Sequence, residues 1–432
     1  MNYLVKKFAK SIGQLTALLL LGVVASTSQA AVNGLTGTTF NLSAQSAHIT
    51  TPDGDSVLMW GYAPDGGVMQ YPGPTLIVNQ GDTITINLTN NLTQPVSIVF
   101  PGQDGVTAIG GSDGTVTKES TGPADVVSYT FTATNAGTYA YHSGTNEDLQ
   151  KEMGLIGTLI VRPSVGGKQA YNHADSIYDF EYLFVLTDMD PAIHHKIEFG
   201  QPVNMTDRHP VLWFLNGRNA PDTFSADNVA WLPNQPYGAM VRTTPGHKTL
   251  IRFNAQGHDL HPFHTHGNHF RLIARDGRLM QSAPGMGADL SYEDYTLTNV
   301  PGATYDVIWE WTGEKLGWDV FGTDAAHMAA GCTDGNADMY DDVTKEYCPD
   351  HGKAFPVVLP ELQDLAFGGF YSGSPFLGAF GSLPPGEGGL NLNGGMFYMW
   401  HSHTEREIIN NDIFPGGMLT MMIVEPPATP ID

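Results

Sequence analysis

Apolar and polar residues alternate one by one through much of this chain: Ile84, Ile86 and Leu88 interleave with Thr83, Thr85 and Asn87. Side chains on a strand point to opposite faces in turn, so this pattern collects its apolar groups on one face only if the segment is extended. Tyr305, Val307, Trp309 and Trp311 repeat the pattern against Asp306, Ile308 and Glu310, after the turn signal Pro301-Gly302. With 50 Gly and 28 Pro available to break and turn the strands, the chain reads as all-β. Its 432 residues exceed one β-sandwich and suit two or three.

The first thirty residues carry Lys6, Lys7 and Lys10, then the apolar stretch Leu15 to Val24, then Ser28-Gln29-Ala30 as a small-residue cleavage site. This predicts an export signal over residues 1–30 and a periplasmic or secreted mature protein. The apolar stretch is too short to span a bilayer and no later one is long enough, so no membrane insertion is expected. Losing three lysines makes the formal net charge of -24 more negative still, which argues against nucleic acid and anionic membranes as partners.

A first unit is read over 31–163, closing with the apolar strand Gly157-Thr158-Leu159-Ile160-Val161. Residues 164–176 read as a linker, and a second unit over 177–432 opens at Asp179 to Leu186 and closes with Met418 to Val424. The second unit is oversized by an insertion at about 317–395, where Phe367 to Gly395 alternates Gly and Pro with Phe and Leu. The aromatics there predict a long ordered loop or lid rather than plain disorder. The two cysteines, Cys332 and Cys348, lie within the insertion, and an oxidising compartment predicts that they pair. Between them Asp334, Asp338, Asp341 and Asp342 are candidate calcium ligands, although their spacing is not that of an EF-hand loop; a solvated acidic loop is the alternative.

His261-Pro262-Phe263-His264-Thr265-His266-Gly267 places three imidazoles within six positions of a strand-like stretch. By alternation, His264 and His266 share one face and His261 takes the other. His401-Ser402-His403 repeats the H-x-H spacing after the apolar run Met396 to Trp400. Two such pairs point to a metal site, and neutral imidazole suits copper, zinc, iron and nickel alike.

These segments resemble the multicopper oxidase family, which is built from cupredoxin β-sandwich domains. Tyr71-Pro72-Gly73-Pro74-Thr75-Leu76 followed by Gln80-Gly81-Asp82 is similar to the family's first-domain opening, and Gly137 to Ser143 to its second copper motif. His261 to Gly267 is similar to the third motif, and His401-Ser402-His403, continuing to Gly417-Met418, to the fourth. The resemblance implies two cupredoxin-like Greek-key β-sandwich domains, the second carrying the insertion. With motifs one and two in one domain and three and four in the other, the chain is similar to two-domain, laccase-like members. Those assemble as trimers, which implies a homotrimer with copper at the subunit interface.

Departures from the family pattern bear on function. Members that oxidise substrates carry a cysteine between the histidines of the fourth motif, whose thiolate binds the electron-accepting type 1 copper; that position is Ser402. The histidine expected four residues after His403 is Glu407, so only His261 and Met418 remain of that site, and a blue-copper centre without thiolate is not expected. The first motif, normally two histidines after Ser97-Ile98, reads Val99-Phe100-Pro101-Gly102, and the second histidine of the second motif is Gly144.

The resemblance leaves His142, His264, His266, His401 and His403 as copper ligands, with His261 a further candidate. It implies that His142 and His403 share one type 3 ion, that His266 and His401 share the other, and that His264 stands at the type 2 position. One or two copper ions are expected, with water, Glu405 or another histidine completing each sphere, and Glu405 is also the candidate proton relay. His258 and His269 are candidates to replace lost ligands, while His194 and His195 read as surface residues. The expected function is that of an exported copper protein with a reduced histidine site, leaning to oxidoreductase but not a standard laccase, of unidentified substrate. Its alternatives are a non-catalytic periplasmic protein that sequesters or delivers copper, and a scaffold or assembly protein that has lost it.

Overall fold

The computed structural model describes residues 32–354, 396–425 and 429–431. Residues 1–30, expected to be an export signal, and the Gly- and Phe-rich part of the insertion lie outside the described residues. Two mixed sheets make the first sandwich. One runs in the order Ser56–Pro64, Thr39–Thr50, Thr83–Asn90, Val127–Thr132, Thr107–Gly110; the other runs Leu35–Thr36, Leu76–Asn79, Ile156–Arg162, Gly137–His142. Ile84, Ile86 and Leu88 point inward and are fully buried, as their alternation requires. Each such side chain contributes about 1.5–3 kcal/mol of apolar burial.

The second sandwich pairs a seven-stranded sheet with a five-stranded one. The five-stranded sheet runs Val241–Thr243, Leu419–Val424, Met396–Ser402, His261–Thr265, Thr296–Asn299, and so places the two histidine-bearing strands side by side. Its core packs Phe184, Phe253, Phe263, Trp309 and Trp400 edge to face. Among the described residues no helix is long and apolar enough to cross a membrane.

On the strand Thr304–Glu310 both faces are buried, not one. Tyr305, Val307 and Trp309 enter the second core, while Asp306 and Ile308 face the first sandwich. Asp306 accepts hydrogen bonds from Thr138 Oγ1 at 2.6 Å and Tyr171 Oη at 2.5 Å. Nearby, Glu181 receives Arg162 at 2.5 Å and Arg252 at 2.6 Å. Burial alone would raise the Glu181 carboxyl, but the two guanidinium groups outweigh it and hold the pKa down at about 2. Tyr171 belongs to the stretch read as a linker; with Ala170 it is packed into this seam rather than crossing open solvent. An apolar patch joining Met59, Tyr71 and Ile156 to Val185, Met189 and Phe214 completes the contact between the sandwiches.

Candidate metal centre

The strand His261–Thr265 shows burial alternating residue by residue, with His261, Phe263 and Thr265 inside and His264 half-buried on the opposite face. Antiparallel pairing with Met396–Ser402 sets His264 directly across from His401 and Phe263 across from Ser402. Register therefore gathers His264, His266, His401 and His403 on one face. Ring centroids lie 4.8 Å apart for His264 and His266, 4.9 Å for His264 and His403, 5.3 Å for His266 and His401, and 5.6 Å for His401 and His403. Trp400 Nε1 donates to the His266 carbonyl at 3.0 Å, and the His403 amide donates to the Pro262 carbonyl at 2.7 Å, so the backbones carrying both pairs are tied together. After His266 the chain turns at Gly267, where φ is +95° and a Cβ would meet the Tyr398 ring at 2.8 Å.

Hydrogen bonds select which nitrogens remain available. His401 Nδ1 donates to the Ser402 carbonyl at 2.7 Å, which leaves Nε2 with its lone pair. His264 Nδ1 is engaged by Thr296 Oγ1 at 2.7 Å, so Nε2 is its available ligand atom. The His401 and His266 Nε2 atoms face each other at 3.3 Å. Two nitrogens bound at about 2.0–2.1 Å to one tetrahedral ion stand about 3.3 Å apart, so the spacing fits a shared metal. Burial, and then the neighbouring imidazoles, push His264 and His266 down to about 4, and burial lowers His401 as well. Near neutral pH these rings are uncharged and able to ligate.

His142 ends the strand Gly137–His142 in the first sandwich, buried, with Nδ1 donating to the Ser143 carbonyl at 2.9 Å and Nε2 left as the ligand atom. Among the described residues no hydrogen bond or ring contact joins it to His264, His401 or His403. Glu405 is exposed on the short turn Glu405–Ile408.

His261, read as a further ligand, is placed otherwise. Its Nδ1 meets Glu407 Oε2 at 2.9 Å and its Nε2 meets Asp188 Oδ1 at 3.2 Å, so neither nitrogen keeps a lone pair for an ion. Burial pulls this imidazole down, but the two carboxylates prevail and its pKa is pushed up to about 9. Ser402 Oγ donates to the same Glu407 oxygen at 2.6 Å. The positions that resemble a type 1 site are thus joined as a hydroxyl, a carboxylate and an imidazolium, while Met418 is buried in the core. Asp188 was invisible to the sequence reading because it lies on a distant strand, Phe180–Met189, with no motif around it.

Other readings are corrected. His194 is not a surface residue: it is fully buried, with Nδ1 donating to the Leu58 carbonyl at 2.6 Å. His258 lies beside Glu152, and exposed His269 packs on Tyr295. Cys332 and Cys348 do pair, with Cα atoms 5.5 Å apart. The acids between them are turned toward their own backbone: Asp341 accepts from the amides of Thr333, Val343 and Thr344, and Asp334 from those of Asp338 and Met339. Those oxygens hold turns together, and calcium gains no support from them.

Two sequence families, both described as multicopper oxidase, match residues 45–165 and 204–308. The chain belongs to the multicopper oxidase family. An L-ascorbate oxidase of Cucurbita pepo var. melopepo is 34% identical over 155 residues, covering 34% of this chain and 26% of that protein. The match thus spans about a quarter of the length of that relative. Copper resistance protein A of Pseudomonas syringae pv. tomato is 25% identical over 324 residues, 66% of this chain and 48% of that one. Among solved structures, a blue copper oxidase from Nitrosomonas europaea superposes with a TM-score of 0.55 at 19% identity, covering 89% of this chain and 85% of that chain. The multicopper oxidase mgLAC gives 0.54 at 18% identity, with 91% and 87% covered. These likenesses establish the all-β cupredoxin fold. Membership implies copper, and the neutral, convergent imidazoles of this chain fit that ion by donor type and spacing.

Proposed function

We propose that this protein is an exported copper oxidoreductase of the multicopper oxidase family that works from a reduced, all-histidine site and is not a standard laccase. The observation carrying this reading is the convergence of His264, His266, His401 and His403 beside positions where Ser402, Glu407 and protonated His261 replace the thiolate centre. His264, His266, His401 and His403 hold one or two copper ions. His142, set apart in the first sandwich, completes the site from a neighbouring copy in a homotrimer. Bound copper supplies one-electron redox or Lewis-acid chemistry. The chain's own part is to keep the imidazoles of His264, His266 and His401 neutral, fix the tautomer of His401, orient His264 through Thr296, and offer Glu405 at the rim as proton relay. Without a thiolate-bound ion, electrons enter from a donor that reaches the histidine site directly.

A second reading, copper sequestration or delivery in the periplasm, is favoured by the long match to copper resistance protein A and by the net charge of -24, which attracts cations. Metal content with visible and paramagnetic resonance spectra on copper-reconstituted protein tests the site, and oxygen uptake with ascorbate, the reductant named in the relatives, separates the two readings. One or two coppers per chain without a blue band, together with turnover, is the expected result. Bound copper without turnover would favour sequestration, and no stoichiometric copper would leave only the scaffold reading.

A further inference from the structure

The described part of the insertion holds a second group of metal-ligating side chains. Asp319, His327, Glu346 and His351 bring one donor atom each to within 4.8 Å of all the others. His327 Nε2 faces Asp319 Oδ2 at 2.9 Å and Glu346 Oε1 at 3.3 Å, while His351 Nδ1 faces the same two oxygens at 3.6 and 2.7 Å. Each nitrogen thus looks at both oxygens, an arrangement that a single proton on each ring satisfies only in part and a cation at the centre satisfies in full. The edges bracket the roughly 3.3 Å between donors of a tetrahedral ion bound at about 2.0–2.1 Å.

We propose that these four residues bind a divalent transition-metal ion of the zinc class in a closed, structural site. Donor type, charge and support all point the same way. Two carboxylates and two neutral imidazoles balance a divalent ion, and that mixture suits zinc, whereas calcium prefers six or more oxygens. Asp319 and Glu346 are 2% and 3% exposed, and buried carboxylates of this kind require a cationic partner. The donors are held in place before any ion arrives. The Asp319 carboxylate accepts from the amides of Phe321 at 2.9 Å and Gly352 at 2.7 Å. Phe321 stacks on His327, whose helix Ala325–Ala330 is capped by Asp324, and the Cys332–Cys348 disulfide anchors the segment that bears Glu346 and His351. The cluster lies beyond the residues 45–165 and 204–308 that match the family, and it is independent of the copper reading.

The test uses the full chain carrying His264→Ala and His403→Ala, so that the imidazole site is disabled, dialysed against zinc and desalted. About one zinc per chain should remain, and X-ray absorption should show nitrogen and oxygen donors at about 2.0–2.1 Å. Adding Glu346→Gln should weaken zinc by more than the about 10–100-fold that loss of an outer-shell partner costs. Retention of zinc at unchanged affinity in that variant would overturn the assignment, and so would absence of zinc from its parent. In case substitution harms folding, wild-type crystals soaked in zinc give an independent reading: an anomalous peak among the four donors is expected, and a difference map without one refutes the site. Neither result depends on whether copper occupies the histidine cluster.

Discussion

Glu407→Gln tests the conclusion that His261 is an imidazolium held between carboxylates and not a metal ligand. The His261 pKa rises from 6.5 to about 9, which corresponds to about 3 kcal/mol at about 1.36 kcal/mol per unit. The depression of the Asp188 carboxyl records the same contact and is not a second contribution. A group whose pKa is higher in the folded state stabilises fully below its unfolded value and loses that contribution as pH rises through the folded one. The stabilisation is therefore complete below about pH 6.5 and gone above about pH 9, a fall of about 3–6 °C in Tm for a chain of this size. Replacing the Glu407 carboxylate by an amide keeps its shape but removes one of two charges, so about 1–2 kcal/mol of the pH-dependent part should vanish. Thermal melts of both proteins across pH 5–10, with an NMR titration of His261, provide the assay. The reasoning is refuted if the two Tm profiles run parallel from pH 6.5 to 9, or if His261 titrates below pH 7.

The double substitution His264→Ala with His403→Ala should abolish copper binding and any turnover, and retained copper stoichiometry would sink the histidine assignment. At the seam between the sandwiches, Glu181 is depressed from 4.5 to about 2, so it contributes about 3 kcal/mol above pH 4.5 that is lost as pH falls toward 2. Glu181→Gln should cost about 3 kcal/mol at neutral pH by leaving buried Arg252 with Asp306, at 3.5 Å, as its carboxylate partner, and should flatten the acid limb of a denaturation curve; an unchanged limb would contradict this. Gly257→Ala would set a Cβ 1.8 Å from Asp188 Oδ1, displacing that carboxylate from His261 and the His258 amide. A loss of about 1–3 kcal/mol in chemical denaturation is expected, together with a lower His261 pKa, and a neutral outcome would mean that Asp188 is not held as described.

Much of the fold could be read locally. Alternation at Ile84, Ile86 and Leu88 dictates a strand because only an extended chain puts those side chains on one face, and the same rule separates His261 from His264 and His266. The H-x-H pairs carry their chemistry within three residues, and the two cysteines theirs within a separation of 16. What they meet is a property of the folded chain. The register that sets His264 opposite His401 depends on strands far apart in sequence, and the set of neutral, nearly touching imidazoles follows from it. The charge on His261 depends on Asp188, a residue on another sheet with no motif to announce it. In the insertion, Asp319, His327, Glu346 and His351 follow no ligand spacing, because a helix, a disulfide and capped turns bring them together. Local periodicity determined which face of a strand each residue takes, since backbone geometry alone sets it. Which donors share a pocket, and with what charge, was decided by long-range packing, since burial and neighbouring charges exist only in the folded chain.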